Sequence, residues 1–277
     1  MNRFDGKTAV ITGASSGIGE SCARKFVAEG ARVVLAARSA EPLRRLVDEL
    51  GADVAHAVPT DVADSNACER LLAQAKSRFG SIDILVNNAG RNSRGPLEEL
   101  PMDEMLQILD VNLRAPMVLI RLIRLVWPTM RAQGAGTIVN VASLAGRCPL
   151  DDEATYSAAK FGLRIFSFAI AEELRNTNVR VCVVSPGPVE TSFILDESVI
   201  DTVPPLVFSF PMSTAAEVAD LVLASAADGA RERTKPALAG KLATLGYLVP
   251  AVRKLFLPLA ERKGKREKKK YIARDPK

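Results

Sequence analysis

Two clusters in this sequence combine residue types and spacings that can do chemistry. In the first, Thr12-Gly13-Ala14-Ser15-Ser16-Gly17-Ile18-Gly19 directly follows the apolar run from Thr8 to Ile11. Glycines let a strand turn sharply into a helix, so backbone N–H groups and the helix N-terminus can approach a pyrophosphate. In the second, Lys160 follows Tyr156 by four residues, and Ser143 precedes Tyr156 by 13. A four-residue spacing puts two side chains on one helix face, where an ammonium favours the phenolate of a tyrosine whose ordinary pKa is about 10. A nucleotide cradle combined with a proton-transfer site reads as a redox enzyme. No Ser-His-acid triad is indicated, because the single histidine, His56, falls in an expected strand.

The elements that must position these clusters alternate as β-α-β units. The patterning predicts strands near 7–12, 31–37, 53–59, 82–87, 136–142 and 179–184. It predicts helices near 18–29, 40–50, 65–79, 102–131, 153–175 and 214–227, with Pro128 bending or ending the fourth. Several strands are apolar throughout, as expected of a mostly parallel central sheet with helices on both faces. Residues 186–213 leave this rhythm and are rich in proline, which marks them as the substrate loop. Phe193, Ile194, Leu195, Val207, Phe208 and Phe210 would form an apolar lid there, or pack the loop or an oligomer contact.

A chain of 277 residues and 29.7 kDa suits one domain. With 48% hydrophobic and 25% charged residues, it reads as soluble and globular rather than disordered. Cysteines at 22, 68, 148 and 182 are too scattered for a metal knuckle or a disulfide framework. Together with the lack of a separate apolar leader, this predicts reduced thiols and a cytoplasmic location. The net charge of +5 is unevenly spread: residues 262–277 carry +7, leaving −2 for the body. Without interleaved aromatics or a reading module, that tail does not make a nucleic-acid binder.

Together with Asn87-Asn88-Ala89-Gly90 and Pro186-Gly187-Pro188-Val189-Glu190-Thr191, these motifs resemble the classical short-chain dehydrogenase/reductase family. The resemblance runs from about residue 6 to residue 228, with the motifs in the family's order. It implies a single Rossmann-like α/β domain that uses NAD(H) or NADP(H) to interconvert alcohols and carbonyls, in a homodimer or homotetramer. It also implies a proton-transferring Tyr156 and a Lys160 that supports it and binds the nicotinamide ribose. Ser143 would hold the substrate oxygen, and Asn112 would bend a helix and hold a water connected to Lys160. The implied coenzyme contacts are Gly13, Ser15, Ser16, Gly17, Ile18 and Gly19 at the pyrophosphate turn, and Asp61 and Val62 at the adenine, Asp61 alternatively capping the next helix. Asn88, Ala89 and Gly90 would pass close to the coenzyme, while Pro186, Gly187, Val189 and Thr191 face the nicotinamide. Ala37 occupies the position that is acidic in NAD-preferring relatives, and Arg38 resembles the basic residue of NADP-preferring ones, so NADP(H) is expected and NAD(H) is the alternative.

The expected function is therefore an NADP(H)-dependent oxidoreductase of a ketone and secondary alcohol, lipid-like or steroid-like, acting in a catalytic domain over 1–235. The alternative is a non-catalytic dinucleotide-binding structural or regulatory protein whose Ser143-Tyr156-Lys160 site is obstructed or unassembled. Past residue 228 the resemblance weakens, and the last strand is either shortened near 234–240 or replaced at the sheet edge. The extension 236–277 runs from the apolar stretch 242–260 to the basic tail. It reads as a substrate-side or dimer helix with a solvated tail, or alternatively as a reversible contact with an anionic membrane.

Overall fold

A computed structural model describes residues 2–121, 130 and 132–274. In chain order it builds β1 (Thr8–Thr12), α1 (Gly17–Ala28), β2 (Arg32–Ala37), α2 (Ala40–Leu50), β3 (Ala55–Pro59), α3 (Ser65–Phe79) and β4 (Ile84–Asn87). There follow α4 (Met102–Leu109), α5 (Ala115–Arg121), β5 (Gly136–Val141), α6 (Ala154–Glu173) and β6 (Val179–Pro186). The remainder comprises β7 (Val189–Glu190), α7 (Ser192–Leu195), β8 (Ser213–Thr214), α8 (Ala215–Asp228), β9 (Glu232–Lys235), α9 (Ala237–Leu248) and α10 (Pro250–Arg274).

Seven strands pair in the order β3-β2-β1-β4-β5-β6-β9, every pair parallel. Successive strand residues point to opposite faces. Ala9, Ile11, Val33 and Leu35 therefore join Phe26 of α1, Leu43 of α2 and Val222 of α8 in one apolar layer. Val10, Val34 and Ala36 join Leu71 of α3 and Leu119 of α5 in the other. Both faces are covered, which explains why these strands are apolar through their centres. From β1 the strands first run outward through β2 to β3, and the chain then crosses back to place β4, β5 and β6 on the other side of β1; a crevice opens beyond the strand ends at such a reversal.

Three features depart from the expected layout. The helix read as continuous over 102–131 is interrupted at Asp110–Arg114 by a π-helical turn. At its centre the Asn112 side chain donates to Ile108 O at 2.9 Å and Arg91 O at 2.6 Å. Pro128, expected to bend this helix, lies outside the described residues. The seventh strand falls earlier than 234–240, because residues from 237 onward are helical. It is polar because Glu232 accepts from Arg164, Arg147 and Ser185, tying the sheet edge to α6 and β6.

The basic tail is docked along one face through residue 274, while Arg262, Lys263, Lys265, Arg266, Lys269 and Lys270 stay exposed. Residues through 274 form α10, one face of which lies against Pro205–Ser209 of the substrate loop. Helix α9 docks through Tyr247, whose ring centroid is 5.3 Å from that of Phe161. Arg147 donates to Thr244 Oγ1 at 2.8 Å and fastens α9 to the body.

Candidate active site

A cleft of about 970 Å³ opens at the C-terminal ends of the strands. One end is the turn from β1 into α1. Gly13 and Gly17 have φ of 66° and 56°, which an L side chain rarely adopts. A Cβ at Gly13 would stand 2.9 Å from Ala89 Cα, and one at Gly19 would stand 2.1 Å from Gly13 O. The turn thus presents bare backbone to the cleft at the start of a helix, where N–H groups attract phosphate. Gly13, Ser15, Ser16, Gly17 and Ile18 line the cleft, whereas Gly19 is buried behind the turn and lets the chain fold back on itself.

The turn is pinned from β4. Thr12 Oγ1 accepts from Asn88 N at 3.0 Å and Ala89 N at 3.1 Å, and Asn88 Nδ2 donates to Thr12 O at 3.0 Å. Thr12, which opens the glycine motif and was given no role of its own in the sequence, is the staple between the two. Asn88, Ala89 and Gly90 line the cleft beside it. Arg38 stands exposed at the end of β2, lines the cleft, and forms no ion pair with any described residue. Asp61 and Val62 also line the cleft. Asp61 Oδ1 accepts from Ala63 N within a local turn, while the cap of α3 is Asp64, which accepts from Asn66 N.

Ser143, Tyr156 and Lys160 face the middle of the same cleft. Ser143 Oγ accepts from Ala145 N at 3.1 Å, so the residue caps a one-turn helix on the cleft side, beside Tyr156. Lys160 Nζ donates to Val141 O at 3.0 Å and lies 5.7 Å from the Tyr156 ring centroid. Burial pushes its ammonium down to about 8, leaving it mostly cationic at neutral pH. The Tyr156 phenol moves the opposite way from the sequence expectation. Burial, and then the Glu153 carboxylate, raise its pKa above the usual tyrosine value, and the weaker influences of the Ser143 hydroxyl and the Arg94 cation oppose them. The phenol is therefore neutral at physiological pH, the form that donates a proton.

Helix α6 is held in place by a buried polar chain that the sequence reading missed. Asn87 Nδ2 donates to Asn140 Oδ1, Asn140 Nδ2 donates to Ser167 Oγ, and Ser167 Oγ donates to Leu163 O, at 2.8, 2.8 and 2.6 Å. The available signal was asparagine inside strands that are otherwise apolar. Asn112 is fully buried next to the cleft rather than lining it, with its Oδ1 toward Arg91 N.

Pro186, Gly187, Val189 and Thr191 form the far wall, followed by Phe193, Ile194, Val199, Leu206, Val207 and Phe210. Beside them is a second feature overlooked in the sequence. Arg94 Nε donates to Glu153 Oε1 at 2.6 Å, with side chains only 5% and 3% exposed. The Arg94 guanidinium lies 5.6 Å from the Phe193 ring centroid, and Phe193 lies 6.1 Å from the Tyr156 ring. Burial pushes the Glu153 carboxyl up against the pull of Arg94. Glu153 precedes Tyr156 by three residues, a helix-face spacing that could have flagged it.

The short chain dehydrogenase family matches residues 7–198. The chain belongs to that family and is an NAD(P)-dependent oxidoreductase. It is 36% identical over 192 residues to an uncharacterized oxidoreductase of Staphylococcus aureus strain MW2, covering 69% of this chain and 82% of that one. Against a short chain dehydrogenase of Pseudocercospora fijiensis it is 34% identical over 206 residues, covering 73% and 66%. Among solved structures, a metagenomic short-chain oxidoreductase in complex with NADP superposes with a TM-score of 0.70 at 35% identity, covering 84% of this chain and 97% of the other. An actinorhodin polyketide ketoreductase variant with NADPH gives 0.74 at 33% identity, with the same coverage. Among the described residues no group of side chains could hold a metal ion.

Proposed function

We propose that the protein interconverts a ketone and a secondary alcohol with NADP(H), acting on an apolar substrate. The carrying observation is that one cleft joins the glycine turn and Arg38 at one end, Ser143, Tyr156 and Lys160 at its centre, and an apolar loop at the other. The bound coenzyme would supply or accept the hydride at its nicotinamide. Ser143 orients the substrate oxygen, the neutral Tyr156 phenol gives it a proton in the reducing direction, and Lys160 holds the ribose. Thr191 orients the carboxamide. A non-catalytic dinucleotide binder would have an obstructed centre, whereas here all three central side chains reach the cleft.

Arg38, exposed and without an ion-pair partner among the described residues, is suited to a 2′-phosphate, and no carboxylate stands at Ala37 to hold a free 2′-hydroxyl in its place. NADP(H) is accordingly the preferred coenzyme, with NAD(H) as the weaker one, in line with the two NADP-type complexes among the similar structures. Arg38→Ala should weaken NADPH by about 1.5–3 kcal/mol, the range for a hydrogen bond to a charged group, and leave NADH nearly unchanged. Fluorescence titration with both coenzymes reads this directly. Equal wild-type affinities for the two would reject the preference.

We also propose a homo-oligomer, for which exposed Leu106, Met117 and Ile165 offer apolar surface on the α4–α6 side. No helix among the described residues is long and apolar enough to cross a membrane. Reversible contact of a cytoplasmic enzyme with anionic lipid is supported by α10, where exposed Leu255, Phe256 and Leu259 adjoin Lys254, Arg262 and Lys263. Co-sedimentation with phosphatidylserine-containing vesicles should be strong at low salt and lost at high salt. Absence of binding at low salt would contradict it.

A further inference from the structure

Helix α10 does more than carry positive charge. Gly264, Lys268 and Tyr271 recur at the spacing of one helix face, and all three meet the substrate loop. A Cβ at Gly264 would stand 1.8 Å from Pro205 O, so the helix backbone rests directly on the loop backbone. Glycine is the poorest ordinary residue for a helix interior, and this close approach is what accounts for it here. Lys268 Nζ donates to Asp201 O at 2.7 Å and Val203 O at 2.9 Å, and its ammonium lies 6.0 Å from the Phe208 ring centroid. These carbonyls belong to the one-turn helix Ile200–Thr202 and the residue that caps its C-terminus. Tyr271 packs on Phe208 with ring centroids 5.8 Å apart, in the cluster that also contains Ile194 and Val203.

The other side of this loop is the cleft. Ile194, Val199, Leu206 and Val207 line it, while Val203 and Phe208 lie behind them, against α10. We infer that α10 sets the shape of the substrate end of the cleft, with Gly264, Lys268 and Tyr271 as positioning residues that hold loop 199–209 against the bound substrate. The inference rests on the ketone-reductase reading for what occupies that end. It assigns the C-terminal extension a role in substrate fit, in addition to any surface contact made by its opposite face. None of the three residues touches the reacting atoms; each acts through Val199, Leu206 or Val207.

The test compares the full-length wild-type chain with Lys268→Met, Lys268→Arg and Gly264→Ala. Amide hydrogen exchange needs no substrate and is the first readout. In K268M and G264A, amides of 199–209 should exchange about ten-fold faster or more, while those of β1 and α6 keep their protection. The K268R guanidinium can still donate to two carbonyls and should restore most of it. The second readout is reduction of 2-dodecanone and 2-butanone with NADPH. KM for the long ketone should rise about ten-fold in K268M with little change in kcat, and the short ketone should barely respond. Unchanged exchange over 199–209, or an equal fall in kcat for both ketones at constant KM, would overturn the inference. Failure of the reductase reading is seen separately, as no reduction of either ketone by the wild-type chain.

Discussion

Tyr156→Phe should lower the rate of ketone reduction about 10²- to 10⁴-fold, the range that a positioned general acid contributes, and leave NADPH affinity intact. The phenyl ring keeps the buried contacts of the tyrosine, including Phe193 at 6.1 Å between centroids, and loses only the hydroxyl beside Ser143. The loss should therefore fall on the chemical step. Single-turnover kinetics at saturating NADPH isolates that step, and a rate near that of wild type would remove Tyr156 from the proposed role.

The other large effect is expected at Arg94 and Glu153, whose side chains are 5% and 3% exposed. Removing one partner of a buried ion pair leaves the other charge uncompensated, at a cost of about 3–5 kcal/mol. Glu153→Gln should lower thermal stability by that order, and a paired Arg94→Met, Glu153→Leu protein should recover much of it. The variant has a chemical signature as well. The Glu153 carboxylate raises the Tyr156 pKa, so neutralising it should move the alkaline limb of the pH–rate profile toward lower pH. An E153Q protein that melts with wild type and keeps the wild-type profile would show that the pair matters for neither.

Much of the sheet was legible because parallel strands buried on both faces are written as continuous apolar runs between turn residues. Helices α2 and α3 were readable to the residue, bounded by Ser39 or Asp64 in front and Gly51 or Gly80 behind. The π-helical turn at Asp110–Arg114 was not visible as periodicity, because Val111 and Leu113 maintain the apolar count while the turn widens around Asn112. Strand β9 was misplaced for a different reason. Its stretch Glu-Arg-Thr-Lys is ordered by Glu232 reaching three distant donors, which no local pattern records.

The site was similarly divided. Motif residues that face the cleft could be named from their order along the chain. The residues that fix the motifs, Thr12, Asn140 and Ser167, are single polar side chains with partners 27 to 77 positions away, Ser167 bonding the nearby Leu163 O as well. Arg94 and Glu153 are 59 positions apart, and only the fold brings them together beside Phe193. In the tail, the run of lysines reads as solvated charge by composition. Which lysine is docked depends on the register that also puts Gly264 and Tyr271 on the loop side of α10.

The cleft is proposed to transfer a hydride between NADP(H) and a carbonyl carbon. NADPH carrying deuterium at both C4 positions of the nicotinamide, incubated with wild-type protein and a panel of steroid, long-chain and small polar ketones, tests it most directly by mass spectrometry of the products. The account predicts a secondary alcohol with one deuterium on the carbinol carbon, formed best from an apolar ketone and strongly diminished with Tyr156→Phe. Tight NADPH binding without deuterated alcohol from any ketone in the panel would contradict it and favour the non-catalytic dinucleotide-binding alternative.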